Sequence, residues 1–126
     1  MNPEILPSEF LSRYIIQKKY YRADGTVRHN AFMPSIDGEV SVYRIINLKE
    51  DQIWETGRVN VAVVLDKPLL GRADIVTSSV LSQKLRVDSD PAPHPRHANI
   101  IGWPPDKGEQ KEIALVLAAE SQLHLI

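Results

Sequence analysis

From Asp106 to about Ser121 the chain reads as one capped helix. Its middle, Ile113-Ala114-Leu115-Val116-Leu117-Ala118-Ala119, is apolar on every side. Asp106 suits the N-cap, and Glu109 stands at the capping-box offset three residues on. The apolar run is far shorter than the roughly 20 residues that cross a bilayer. A helix greasy all round is instead buried against a sheet or against a partner. With 126 residues in all, one small core is what the chain can build, so residues 1–126 are expected to form a single domain.

The rest of the chain supplies the sheet and further helices. Ser8 can cap a helix to about Lys19, with Phe10, Leu11, Tyr14 and Ile15 on one stripe. Asp24-Gly25 and Asp37-Gly38 read as turns around a short strand from Val27 to Met33. Val40 to Ile46 is β-branched and aromatic and reads as a strand. Asn47 to Gly57 reads as a helix, with Asn47 as cap, Glu50 reaching back to it, and Gly57 as the left-handed residue past its end. Val59 to Leu65 alternates like a strand, and Ala73 to Gln83 leans toward helix. Short strands follow at Leu85–Val87 and Ala98–Trp103, separated by a stretch from Asp88 to Pro95 that holds three prolines and is expected to be extended and irregular. The expected class is α+β: a mixed or antiparallel sheet of four or five short strands packed with about three helices.

Several function classes drop out. There is no cysteine, which removes disulfides, thiolate zinc sites, iron–sulfur clusters and a cysteine nucleophile, and suits a cytoplasmic protein. Met1-Asn2-Pro3-Glu4 lacks the basic and apolar regions of a secretory signal. Lysines and arginines number 15 against 16 acidic residues, and both halves are balanced, so no whole-domain footprint for nucleic acid or anionic membrane exists. No glycine-rich phosphate loop, Gly-x-Ser-x-Gly elbow or His-Glu-x-x-His helix occurs, and the sequence points to no cofactor.

Three local groups still carry chemistry. His94-Pro95-Arg96-His97, with Asp88 and Asp90 upstream, has metal-ligand residue types, but Pro95 denies it the helix that would align the two rings, and no metal site is assigned. His97 alone can serve as acid, base or anion contact, or simply as a structural histidine. In a strand over 97–103, His97, Asn99, Ile101 and Trp103 share one face. Arg44 alternates onto the face of Val40, Val42 and Ile46. If that face is buried, its guanidinium needs a carboxylate or a bound anion, and Asp74 in Gly71-Arg72-Ala73-Asp74 is a candidate mate; if Tyr43 and Ile45 face the core, Arg44 is exposed. Arg44, Arg72, His97 and Asn99 are the candidate ligand-binding residues. Lys18, Lys19, Tyr20, Tyr21 and Arg22 interleave cations with rings, as single-stranded nucleic-acid binders do, though the charges equally suit a solvated helix end.

Arg96-His97-Ala98-Asn99-Ile100-Ile101-Gly102-Trp103-Pro104, then Asp106-Lys107 and the Gln110-Lys111 helix, resembles the signature of an uncharacterised family of small bacterial proteins. Val42-Tyr43-Arg44-Ile45, Glu50 with Ile53-Trp54, and Arg72-Ala73-Asp74 belong to the same pattern, so the resemblance covers most of residues 15–123. It implies a bacterial origin and a place in a multi-gene operon, and no activity. Missing enzyme templates, balanced charge, the apolar helix and the ending His124-Leu125-Ile126 together point to a non-enzymatic protein-interaction module that binds a protein partner or itself as a homodimer. The alternatives are a small phosphate- or nucleotide-binding protein or enzyme using Arg44 and His97, and single-stranded nucleic-acid binding through Lys18–Arg22.

Overall fold

The computed structural model describes residues 4–126; the expectations that fall on Met1 to Pro3 lie outside them. Six strands form one open, wholly antiparallel sheet: β1 (Phe10–Ile15), β2 (Val40–Arg44), β3 (Gly71–Val76), β4 (Arg86–Ser89), β5 (His97–Ile101) and β6 (Gln122–Leu125), in the order β4-β5-β2-β1-β3-β6. Three helices accompany them: α1 (Glu50–Gly57), α2 (Thr77–Ser82) and α3 (Lys107–Glu120). The class is α+β as expected, with six strands where four or five were expected.

The sheet is covered on both sides. On one, Leu11, Ile15, Val40, Val42, Ala73, Ile75, Ala98 and Ile100 meet Phe32 and the Ala114, Leu117 and Ala118 side of α3. On the other, a smaller cluster joins Tyr14 and Tyr43 to Ile53, Ala62 and Leu69. Double coverage explains why the first strand reads as a helix. β1 lies between β2 and β3, so Leu11 and Ile15 are buried on one face and Ser12 and Tyr14 on the other. Its polarity therefore does not alternate, and four buried positions mimic a helical stripe. A single 3-10 turn, Lys18–Tyr20, is all that is helical near Lys19.

Other local expectations are corrected in the same way. Val27 makes only an isolated bridge to Tyr21, and His29–Phe32 is a 3-10 turn, not a strand, because it drives Ala31 and Phe32 into the core. Asn47 is not the cap of α1. It takes the left-handed conformation (φ 64°) that asparagine tolerates, and the cap is Lys49, whose N–H donates to Gln52 Oε1 at 2.9 Å. Gly57 does not end the helix: its φ is −67°, and the chain continues through a π-helical stretch, Arg58–Ala62, and an α-helical turn, Val63–Leu65. The left-handed stop is Asp66 (φ 52°). Gly57 is there for space, since a Cβ would lie 2.5 Å from the Tyr14 ring. The valine alternation of 59–65 is thus helical, with Val63 and Val64 facing solvent. Residues 71–76 are strand, and only Thr77–Ser82 are helical.

Asp106 caps α3 as expected, accepting from the Glu109 N–H at 2.9 Å. The protomer covers one side of this helix, leaving Leu115 and Ala119 at the surface. The apolar residues after it, Leu125 and Ile126, are exposed, but the segment is ordered into the sheet. His124 and Leu125 belong to β6, which pairs with β3 from Asp74–Gln122 to Gly71–Leu125.

Candidate functional site

Strand alternation separates the candidate residues. Tyr43 pairs with His97, and Ser41 with Asn99, across β2 and β5; Ser12 pairs with Tyr43 and Asp74, and Arg72 with Tyr14 and His124. All of these point to one face of the sheet. Arg44, one residue past Tyr43, points to the other. Arg44 and His97 therefore do not meet, and Asp74 is not the mate of Arg44.

Arg44 is 1% exposed and is held by Glu9: its Nη2 donates to Glu9 Oε2 at 2.9 Å, its Nε to Glu9 Oε1, and its Nη2 also to the Glu4 carbonyl at 3.1 Å. A guanidinium this deep requires such a fork of acceptors. Arg72 is equally buried on the opposite face. Its Nε donates to Asp74 Oδ2 at 3.1 Å, its Nη2 to Glu50 Oε1 at 2.9 Å, and its guanidinium carbon stands 4.5 Å from the centre of the Trp54 ring. Ser12 Oγ donates to Asp74 Oδ1 at 2.8 Å, and His124 Nε2 lies 3.5 Å from Asp74 Oδ2. Beside this group runs a cleft of about 450 Å³ with an apolar wall of Ile45, Ile46, Leu48 and Ile53. Glu50 sits below the ordinary carboxylate range because Arg72 hydrogen-bonds it.

The second group forms around His97. The proline-rich segment before β5 folds back on the strand: the Asp90 N–H donates to the His97 carbonyl and the His97 N–H to the His94 carbonyl, both at 2.9 Å. That turn brings the Asp90 carbonyl to 3.0 Å and its carboxylate Oδ2 to 3.4 Å from His97 Nδ1. On the other side of the ring, Ser41 Oγ is 2.7 Å from Nε2. Two oxygen acceptors at Nδ1 hold the proton there in the neutral ring. Nε2 is then a lone pair, and the Ser41 hydroxyl donates to it. Asn99 Nδ2 donates to Asp90 Oδ2 at 3.2 Å, and the Tyr43 ring packs edge-on to His97, centres 5.3 Å apart. Ser41 and Asn99 open into a cleft of about 510 Å³ shared with Arg13, Lys19, Tyr20 and Asn30.

Among the described residues no three His, Asp or Glu side chains are grouped to hold a metal ion. His94 and His97 both lean on Tyr43 instead. Burial lowers His94, and nearby Arg96 and His97 lower it further. In the basic stretch Lys18, Lys19 and Arg22 are exposed, whereas Tyr20 and Tyr21 pack against the main core. No helix of the described chain is long and apolar enough to cross a membrane. Ser41, Ser12, Glu9, Glu50, Trp54 and His124 take part here without a place among the expected site residues. Only Ser41 had a local signal, since Val40-Ser41-Val42-Tyr43 places it on the face of Tyr43. No protein-family model, curated protein or solved structure matches this chain.

Proposed function

We propose that this chain is a protein-interaction module of a bacterial, cytoplasmic complex, and that it self-associates through β6. The observation that carries the reading is an unguarded sheet edge. β6 is an outermost strand, and Gln122-Leu123-His124-Leu125 holds no proline, lysine or carboxylate. The opposite edge, β4, carries Arg86 and Asp88 and is followed by Pro91, Pro93 and Pro95. Natural sheets block their edges with such residues, and an edge without them is a template for another strand. A strand pairing with its own copy across a two-fold axis must run antiparallel, the pattern of the whole sheet.

Apolar surface lies next to that edge. Ile126 is 67% exposed and Val63 73%, and both line one groove of about 460 Å³ with Pro68 and Leu69. Sedimentation at micromolar concentration is expected to give a dimer. The double variant Leu125→Lys/Ile126→Lys is expected to be monomeric with an unchanged melting temperature. A wild-type protein still monomeric at about 100 μM, where even a dimer of modest affinity forms, overturns the reading.

Nucleic-acid binding through Lys18–Arg22 draws less support, because Tyr20 and Tyr21 are half-buried against the main core and the stretch offers three exposed cations. A shared phosphate site of Arg44 and His97 draws none, because the two occupy opposite faces of the sheet.

A further inference from the structure

We infer that Ser41, His97 and Asp90 form a nucleophile–base–carboxylate set, and that the cleft beside Ser41 takes a small ester as substrate. The order of contacts is the one acyl transfer requires: hydroxyl to Nε2 at 2.7 Å, Nδ1 to the oxygens of Asp90 at 3.0 and 3.4 Å, and a cleft that Ser41 itself lines. The tautomer decides the chemistry. The Asp90 carbonyl can only accept, so Nδ1 carries a proton, and in the neutral ring Nε2 accepts from the Ser41 hydroxyl. A serine that merely bridged two strands would not need the far side of its histidine clasped by a folded-back loop.

The reaction balances with water alone. Ser41 Oγ attacks the ester carbonyl carbon as its proton passes to His97 Nε2. The tetrahedral adduct collapses, and the leaving alkoxide takes that proton and departs as the alcohol. Water then gives a proton to Nε2 and adds to the acyl carbon. Collapse returns the proton to Ser41 and releases the acid. Asn99, cross-strand neighbour of Ser41, uses one amide hydrogen on Asp90, and the assignment gives its second to the developing oxyanion. Arg13 and Lys19 line the same cleft against Glu39 alone, which favours an acyl group that itself carries a negative charge.

A small alkyl fluorophosphonate is the probe. Ser41 Oγ displaces fluoride at phosphorus while its proton goes to His97, leaving an adduct that peptide mass spectrometry locates. Wild-type protein is expected to acquire one adduct, at Ser41, with exposed Ser35 unlabelled. Ser41→Ala is expected to acquire none, and His97→Gln to react about 100-fold more slowly or worse, the usual size of a lost general base. A nitrophenyl ester bearing a second carboxylate is expected to be cleaved faster than its neutral analogue, and Lys19→Glu to erase that preference. Absence of an adduct at Ser41, equal labelling of Ser41 and Ser35, or an undiminished rate in folded His97→Gln overturns the assignment. The Ser41 to Ser35 ratio is read in wild-type protein, so the test stands even if a variant fails to fold.

Discussion

Replacing Glu9 by Gln is expected to be one of the costliest single changes in the molecule. The Glu9 carboxylate and the Arg44 guanidinium are both almost wholly buried, and Glu9 takes two of the guanidinium's hydrogen bonds and one from the Leu6 N–H at 3.3 Å. The Glu9 backbone carbonyl, which Thr77 holds through both its N–H and its hydroxyl at 2.8 Å, is untouched by the change, so only the side chain is tested. Removing one member of a buried pair costs about 3–5 kcal/mol. Gln keeps one acceptor, which places the loss near 3 kcal/mol, a large share of the roughly 5–15 kcal/mol that holds a domain together. With a urea slope of about 1.5 kcal/mol/M for a chain of this size, the midpoint falls by about 2 M. Glu9→Leu combined with Arg44→Met removes both charges and is expected to recover most of that loss, giving a coupling of about 2 kcal/mol in a double-mutant cycle. Single variants that lose under about 0.5 kcal/mol, or a double variant equal to the sum of its parts, refute the account of Arg44 as a pair-dependent buried cation.

Gly57→Ala tests a steric claim against a propensity rule. In an open helix the change stabilises by up to about 1 kcal/mol, but here the new methyl would meet the Tyr14 ring at 2.5 Å, and calorimetry is expected to show about 1–3 kcal/mol of destabilisation instead. The same tyrosine gives an alkaline signature. Burial pushes the Tyr14 phenol well above its ordinary value, and its hydroxyl donates to the Ile53 carbonyl at 2.5 Å. Above the usual phenol range, about pH 10, the unfolded chain releases a proton that the folded chain keeps, so stability falls as pH rises. Urea midpoints compared at pH 8 and 11 should therefore drop less in Tyr14→Phe than in wild type, and equal slopes would remove Tyr14 from the account.

What could be read in advance was whatever local chemistry alone determines. Asp106 and Glu109 cap a helix by a rule three residues long, and Val40, Val42 and Tyr43 give their segment strand chemistry. His97 and Asn99 fall on one face because alternation has a period of two. The failures share a different cause. β1 is buried on both sides, which erases the alternation that identifies a strand, and 59–65 is a valine-rich helix whose stripe faces solvent. The partners of the charges were also out of reach. Glu9 meets Arg44 and Ser41 meets His97 across 35 and 56 positions of chain, and only the strand order decides which distant residue lands opposite which. Asp74 is a near neighbour of Arg72 in sequence, yet Glu50 and Trp54 reach that arginine from a helix on another layer.

The two faces of the sheet obey different rules of substitution. Beneath α3 the filling is apolar apart from the buried Glu9–Arg44 pair, so away from that pair one branched side chain can trade for another as long as the volume is kept. Across the other face the row His97, Tyr43, Ser12, Asp74 and Gln122 includes the Tyr43–His97 ring contact and the Ser12–Asp74 hydrogen bond, where a change of shape also breaks a directional contact. Variation during descent should therefore be free on the greasy side and scarce on the wet one, so that a lineage drifting in sequence would keep its chemistry while exchanging its oil.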